Sequence, residues 1–103
     1  MAYERLVRKL TKENLWLYIL RMLLEKPDYP MGLKRRFAEK FGFEPAGITF
    51  YTVLYRLKNE GLVSSRTEGG RTVYLCTEKG GEVLGMAVRY LENTSEKLKL
   101  EGS

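Results

Sequence analysis

Between Gly47 and Gly61 the apolar positions recur at helical spacing, with Phe50, Val53, Leu54 and Leu57 in one stripe and Thr52, Tyr55, Arg56 and Asn59 opposite. The pattern predicts a helix with a core side and a working side. Gly61 supplies a residue that can end it in the left-handed conformation. Two β-prone runs follow, Leu62 to Thr67 and Thr72 to Cys76, around the turn Glu68-Gly69-Gly70-Arg71, which reads as a hairpin. Upstream, Leu15 to Leu24 is apolar except for Arg21 and predicts a helix, with Thr11 and Asn14 as alternative N-caps. Leu15, Tyr18, Ile19, Met22 and Leu23 form one of its faces, and Trp16, Leu17, Leu20 and Leu24 spread over much of the rest. One apolar stripe suffices for a helix in a small domain. The surplus therefore points either to a second subunit or to Trp16 capping the edge of the core.

Lys26-Pro27-Asp28-Tyr29-Pro30 ends that helix, because proline disfavours helical geometry in the residue before it. Another helix is predicted from about Met31 to Phe41, with Leu33, Phe37 and Phe41 inward and Lys34, Arg35, Arg36 and Lys40 outward. Gly42 to Gly47 is the turn before the organising helix. Thr77 is the expected N-cap of a last helix, along which Leu84, Ala87, Val88, Leu91, Thr94, Ser95 and Leu98 make a seam near a seven-residue repeat. Gly80, Gly81 and Gly85 lower helix propensity, so regular structure is expected from about Glu82, and Glu101-Gly102-Ser103 should fray. Residues 1–12 read as a basic lead-in, either a short helix across a partner subunit or a loose arm.

The order of elements predicts a mainly α fold with a small β-hairpin (α+β): a winged helix-turn-helix with N- and C-terminal dimerisation helices. One domain is expected over 1–103, with a basic extension at 1–10, a winged-helix core at 11–76 and a dimerisation helix at 77–100. The formal charge of +5 and pI near 9.4 favour an anionic partner such as nucleic acid. In a helix-turn-helix the helix before the recognition helix crosses the phosphate backbone, which makes Lys34, Arg35, Arg36 and Lys40 candidate phosphate contacts. Thr52, Tyr55, Arg56 and Asn59 carry the groups that hydrogen-bond to base edges, and Arg56, able to fork onto guanine O6 and N7, is the expected strongest contributor to specificity; the alternative is that Thr52 and Tyr55 read the bases while Arg56, about two turns into the helix, grips a phosphate. Arg66 and Arg71 flank the hairpin tip, where Arg71 either pairs with Glu68 or reaches DNA. Dimerisation is expected through Trp16, Leu20, Leu84, Val88, Leu91 and Leu98.

The single cysteine, Cys76, reads as a small buried apolar residue; without histidine, a zinc site within one chain is not expected. No cofactor is expected. The absence of histidine and of a Walker-type phosphate loop also argues against an enzyme. The Leu15 to Leu24 run is shorter than the ~20 residues that span a bilayer, so no membrane association and a cytoplasmic location are expected.

The sequence resembles the PadR family of winged-helix transcription regulators over roughly residues 15–91. The resemblance rests on Leu24-Glu25-Lys26-Pro27-Asp28-Tyr29, on Thr49 through Val63, and on Gly70-Arg71-Thr72-Val73-Tyr74-Leu75-Cys76-Thr77-Glu78-Lys79-Gly80. It implies a dimer on double-stranded DNA, held by the terminal helices and usually repressing transcription, with Tyr51 and Tyr74 matching family tyrosines. Thr49 and Tyr51 join the candidate DNA-binding residues with that motif. Some members bind aromatic or lipophilic effectors beside a tryptophan on the last helix. The only tryptophan here, Trp16, lies on an earlier one, so effector binding does not carry over. The alternative is a winged helix that binds RNA or protein without operator recognition; exposed Arg and Asn on the third helix argue against a pure adaptor.

Overall fold

The computed structural model describes residues 1–99; the last position of the expected 77–100 helix and the fraying expected at 101–103 lie outside that range. In chain order come α1 (Ala2–Lys9), a 3₁₀ turn (Lys12–Asn14), α2 (Leu15–Glu25), α3 (Pro30–Phe41), α4 (Gly47–Asn59), β1 (Val63–Glu68), β2 (Arg71–Cys76) and α5 (Glu78–Leu98). The fold is the mainly helical winged helix-turn-helix that the pattern of elements predicts.

Half of the apolar surface of α2 is accounted for inside the protomer. α2 packs against α3, α4, β2 and α5, and Leu15, Ile19, Leu20, Met22 and Leu23 are all buried. Those five lie along one half of the helix, while Leu24 on the other half is exposed and Leu17 and Tyr18 are only half-buried. The expectation that Leu20 meets a second subunit is therefore corrected: it has no exposed surface. Leu84, also assigned to a subunit interface, is buried in the same core. Phe37 of α3 anchors the other half of the core, its ring edge-on to Tyr18, Phe41, Phe43 and Phe50 at 5.1–5.9 Å.

α1 is a helix rather than a loose arm, yet it buries no residue. Neither Thr11 nor Asn14 caps the helix that follows it. Both serve the carbonyls at the end of α1 instead: Thr11 Oγ1 donates to Val7 O at 2.7 Å and Asn14 Nδ2 donates to Lys9 O. The Tyr18 hydroxyl donates to Leu10 O. Carbonyls that a helix end leaves unpaired thus draw the next segment into a fixed elbow.

The end of α4 and the start of α5 are welded together. Gly61, at φ 79°, turns the chain out of α4, and Leu62 N donates back to Leu57 O at 3.0 Å. Thr77 N then donates to Leu62 O at 3.1 Å and Thr77 Oγ1 to Gly61 O at 2.7 Å. The same hydroxyl caps α5 by accepting from Gly80 N at 3.0 Å. α5 is regular from Glu78 rather than Glu82, because Gly80 answers packing rather than propensity: a Cβ there would meet the Leu62 carbonyl oxygen and lie 2.8 Å from Cys76 Sγ. Cys76 is half-buried, and burial pushes its thiol pKa up.

Gly80→Ala is expected to cost about 1–3 kcal/mol through overpacking. In urea denaturation the midpoint should fall while the slope stays unchanged; an unaltered midpoint would mean that the weld yields without cost.

Candidate nucleic-acid interface

The face of α4 opposite the core is a ridge of residues at i, i+4, i+7 and i+11: Ile48, Thr52, Tyr55 and Asn59, all exposed. Arg56 stands on one flank, where with Trp16, Val53 and Glu60 it lines a cavity of about 370 Å³ between α4 and the start of α2. Thr49 is exposed on the same flank, at the turn into α4, and Tyr51 is half-buried on the other. Tyr55 leans toward the hairpin, its ring 6.4 Å from that of Tyr74. Burial, and secondarily Tyr55, hold the Tyr74 hydroxyl pKa above its ordinary range.

The sequence pattern projects four basic residues from α3 together, and the structure separates them. Lys34 lies against the α3–α4 turn, its Nζ 3.4 Å from where a Cβ on Gly47 would sit. Arg35 is exposed. Arg36 turns back to the α2–α3 loop, where Nη1 pairs with Asp28 Oδ2 at 2.7 Å and Nη2 donates to Met22 O at 3.3 Å. The outward placement of Arg36 is corrected accordingly: a carboxylate only 13 % exposed needs a cation beside it. Lys40 is paired with Glu25, which also meets Arg21 at 3.2 Å. That pairing, Lys40's hydrogen bond above all, holds the Glu25 pKa below its ordinary range.

Asp28 also ties the hairpin to the helices. β1 and β2 pair antiparallel from Val63↔Cys76 to Glu68↔Arg71, closed by Gly69 and Gly70 at φ 57° and 77°. Two positive φ values in a two-residue loop match the twist of the strands. At the root, Asp28 N donates to Tyr74 O at 3.0 Å and Tyr74 N to Asp28 O at 2.9 Å. Arg71 pairs neither with Glu68 nor with another carboxylate among the described residues; its guanidinium lies over the Tyr29 ring at 4.0 Å. Glu68 pairs with Arg66 instead. The hairpin is thereby held beside the start of α3.

A second surface is apolar. Val88, Leu91 and Leu98 of α5 are 43 %, 40 % and 76 % exposed, and Tyr3, Leu6 and Val7 of α1 are exposed as well. Leu17, Tyr18 and Phe41 continue the α5 strip as a groove. Trp16 lies apart from it, half-buried, its indole N–H donating to Asn14 Oδ1 at 3.0 Å. Among the described residues no helix is long and apolar enough to cross a membrane, and no three His, Cys, Asp or Glu residues gather as metal ligands. Ile48 is the ridge residue that sequence reasoning passed over. Its place four residues before Thr52 was the available signal.

A family model described as "Transcriptional regulator PadR-like family" matches residues 19–86. Among solved structures, a PadR family transcriptional regulator from Eggerthella lenta is 28% identical at TM-score 0.74, with 99% of this chain and 95% of that chain covered. RosR of H. salinarum is 28% identical at TM-score 0.64, with 86% and 79% covered. A PadR-like transcription factor from Bacteroides fragilis shares the fold at 24% identity and TM-score 0.76, with 91% and 95% covered. No curated protein matches the chain.

The two adjacent arginines of α3 should separate in a denaturation experiment. Arg36→Ala leaves the Asp28 carboxylate without its cation and is expected to cost about 1–3 kcal/mol, whereas Arg35→Ala should stay within about 0.5 kcal/mol of the parent. Equal stability of the two variants would contradict the structural role given to Arg36.

Proposed function

The chain belongs to the PadR-like family of transcriptional regulators, and on that footing we propose that it is a homodimer that binds specific double-stranded DNA sequences and represses transcription. The observation that carries this reading is the outward ridge of α4, with polar groups at Thr52, Tyr55 and Asn59 and the hairpin beside it. A helix presented in this way fits the major groove, where its side chains meet base edges. Lys34 and Arg35, with Lys40 at the far end of α3, supply the phosphate contacts, and Arg66 supplies a further one from the hairpin. Arg56, on the flank of the ridge, grips the backbone rather than a guanine. Repression follows if a dimer seated on promoter DNA excludes other proteins from it.

The dimer reading is supported by what α1 and α5 leave uncovered. The α5 strip of Val88, Leu91 and Leu98 and the groove beside it make a contiguous exposed apolar surface rather than scattered single residues, and α1 adds exposed Tyr3, Leu6 and Val7. Two copies related by a twofold axis cover such surfaces reciprocally. Selection of bound duplexes from a random pool tests the whole reading: a palindromic consensus with half-sites about 10 base pairs apart, or a multiple of that, is expected. Recovery of no motif, or of single-stranded RNA in competition, would favour a module without operator recognition.

Two substitutions give sharper outcomes. Leu91→Asp places an unpaired charge in the proposed interface, and its desolvation cost should split the dimer. Sedimentation should then report a monomer while circular dichroism retains the helix; a persistent dimer would move the interface away from α5. Arg56→Ala should weaken binding to the selected duplex and to scrambled DNA by the same factor and make the log–log salt dependence shallower by about 1 for each phosphate that is no longer neutralised. A selective loss on the chosen duplex would return the base-reading role to Arg56.

A further inference from the structure

Ile48 is 85 % exposed in the first turn of α4. It leads the ridge that continues through Thr52, Tyr55 and Asn59, and it stands apart from the apolar residues of α1 and α5. Resting on the reading that this ridge enters the major groove, we propose that Ile48 is a specificity-determining residue that packs against the C5-methyl group of a thymine in each half-site.

The chemistry of the groove leaves few choices. Base edges there present nitrogen and oxygen donors and acceptors, and the thymine methyl is the apolar group among them. A branched aliphatic side chain pressed onto a donor or acceptor strips it of water and returns no hydrogen bond. Pressed onto a methyl, it removes apolar surface from water on both partners. Position adds to the argument, because the N-terminal residues of a recognition helix are the ones that contact base edges. Thr52 stands one turn further along, about 6 Å away at 1.5 Å rise per residue. Its hydroxyl can bond to a neighbouring base while the isoleucine reads the methyl. A single exposed isoleucine elsewhere on a protein surface would call for no explanation; at the head of this ridge it has a complementary group within reach.

The test removes one methyl at a time. The probe is the unmethylated duplex selected by the parent protein from a random pool, resynthesised with deoxyuridine in place of each thymine in turn, which leaves Watson–Crick pairing intact. At one thymine per half-site the parent should lose about fourfold in affinity, the amount associated with one buried methyl-sized group. Ile48→Ala should bind the unmodified duplex more weakly by at least that factor and be indifferent to deoxyuridine at that position. Because the side chain is exposed, its melting temperature should match the parent's. A parent insensitive to deoxyuridine at every thymine, or an Ile48→Ala variant that still loses fourfold at the same one, overturns the proposal while leaving α4 as the reading helix. A parent that selects no motif at all overturns the base-reading role of α4 and this inference with it.

Discussion

The enclosure of α2 is the constraint from which the rest of the protomer follows. Five of its residues are buried along one half of its circumference, so the elements around it have to supply the apolar surface that meets that half. α3 and α4 provide Leu33, Phe37, Phe50, Leu54 and Leu57, the hairpin provides Tyr74, and α5 provides Leu84. Each surrounding helix therefore spends one stripe on α2 and keeps the other for solvent or a ligand. That division places the polar ridge of α4 outward without any separate device to aim it.

Electrostatics sort the surface less simply than the net charge implies. Of the basic residues along α3, Arg36 and Lys40 face acidic partners on the α2 side. Arg66 is matched by Glu68, and Arg71 stacks on an aromatic ring. An exposed ion pair contributes little to stability, and its cation can exchange a carboxylate for a phosphate at small cost. Arg36 is different in kind, since its partner is largely buried and hydrogen-bonded to the backbone of Tyr29 as well. Asp28 joins α3, the hairpin root and the end of α2 at one residue, and its carboxylate crowds Gly32 so closely that a side chain there would collide with it.

The elements and their order were legible in the sequence because periodicity, glycine stops and the Gly-Gly turn are local signals. The direction of individual side chains was less so. Leu20 looked like surplus apolar surface because a helical wheel counts faces without knowing how many neighbours will cover them. Arg36 looked outward because its partner, Asp28, lies eight residues away across a proline-containing loop. Gly80 looked like a helix breaker because its reason, the Leu62 carbonyl, is distant in sequence. Thr11 and Asn14 looked like caps of the following helix and serve the preceding one. Ile48 carries no hydrogen-bonding group, so the polar pattern of that helix face does not single it out.

The weld between the end of α4 and the start of α5 has a mechanical consequence. Backbone and side-chain hydrogen bonds from Thr77 to Gly61 and Leu62, with Gly80 pressed against the same turn, leave no slack between the two helices. α5 runs 21 residues, about 30 Å at 1.5 Å per residue, so it acts as a long lever whose fulcrum is the tail of α4. A load on the far end of that lever is passed to the tail of α4 through the same hydrogen bonds. A rotation of about 5° about the fulcrum would carry the head of α4, about 20 Å away, through nearly 2 Å, more than the range of distances over which a hydrogen bond holds.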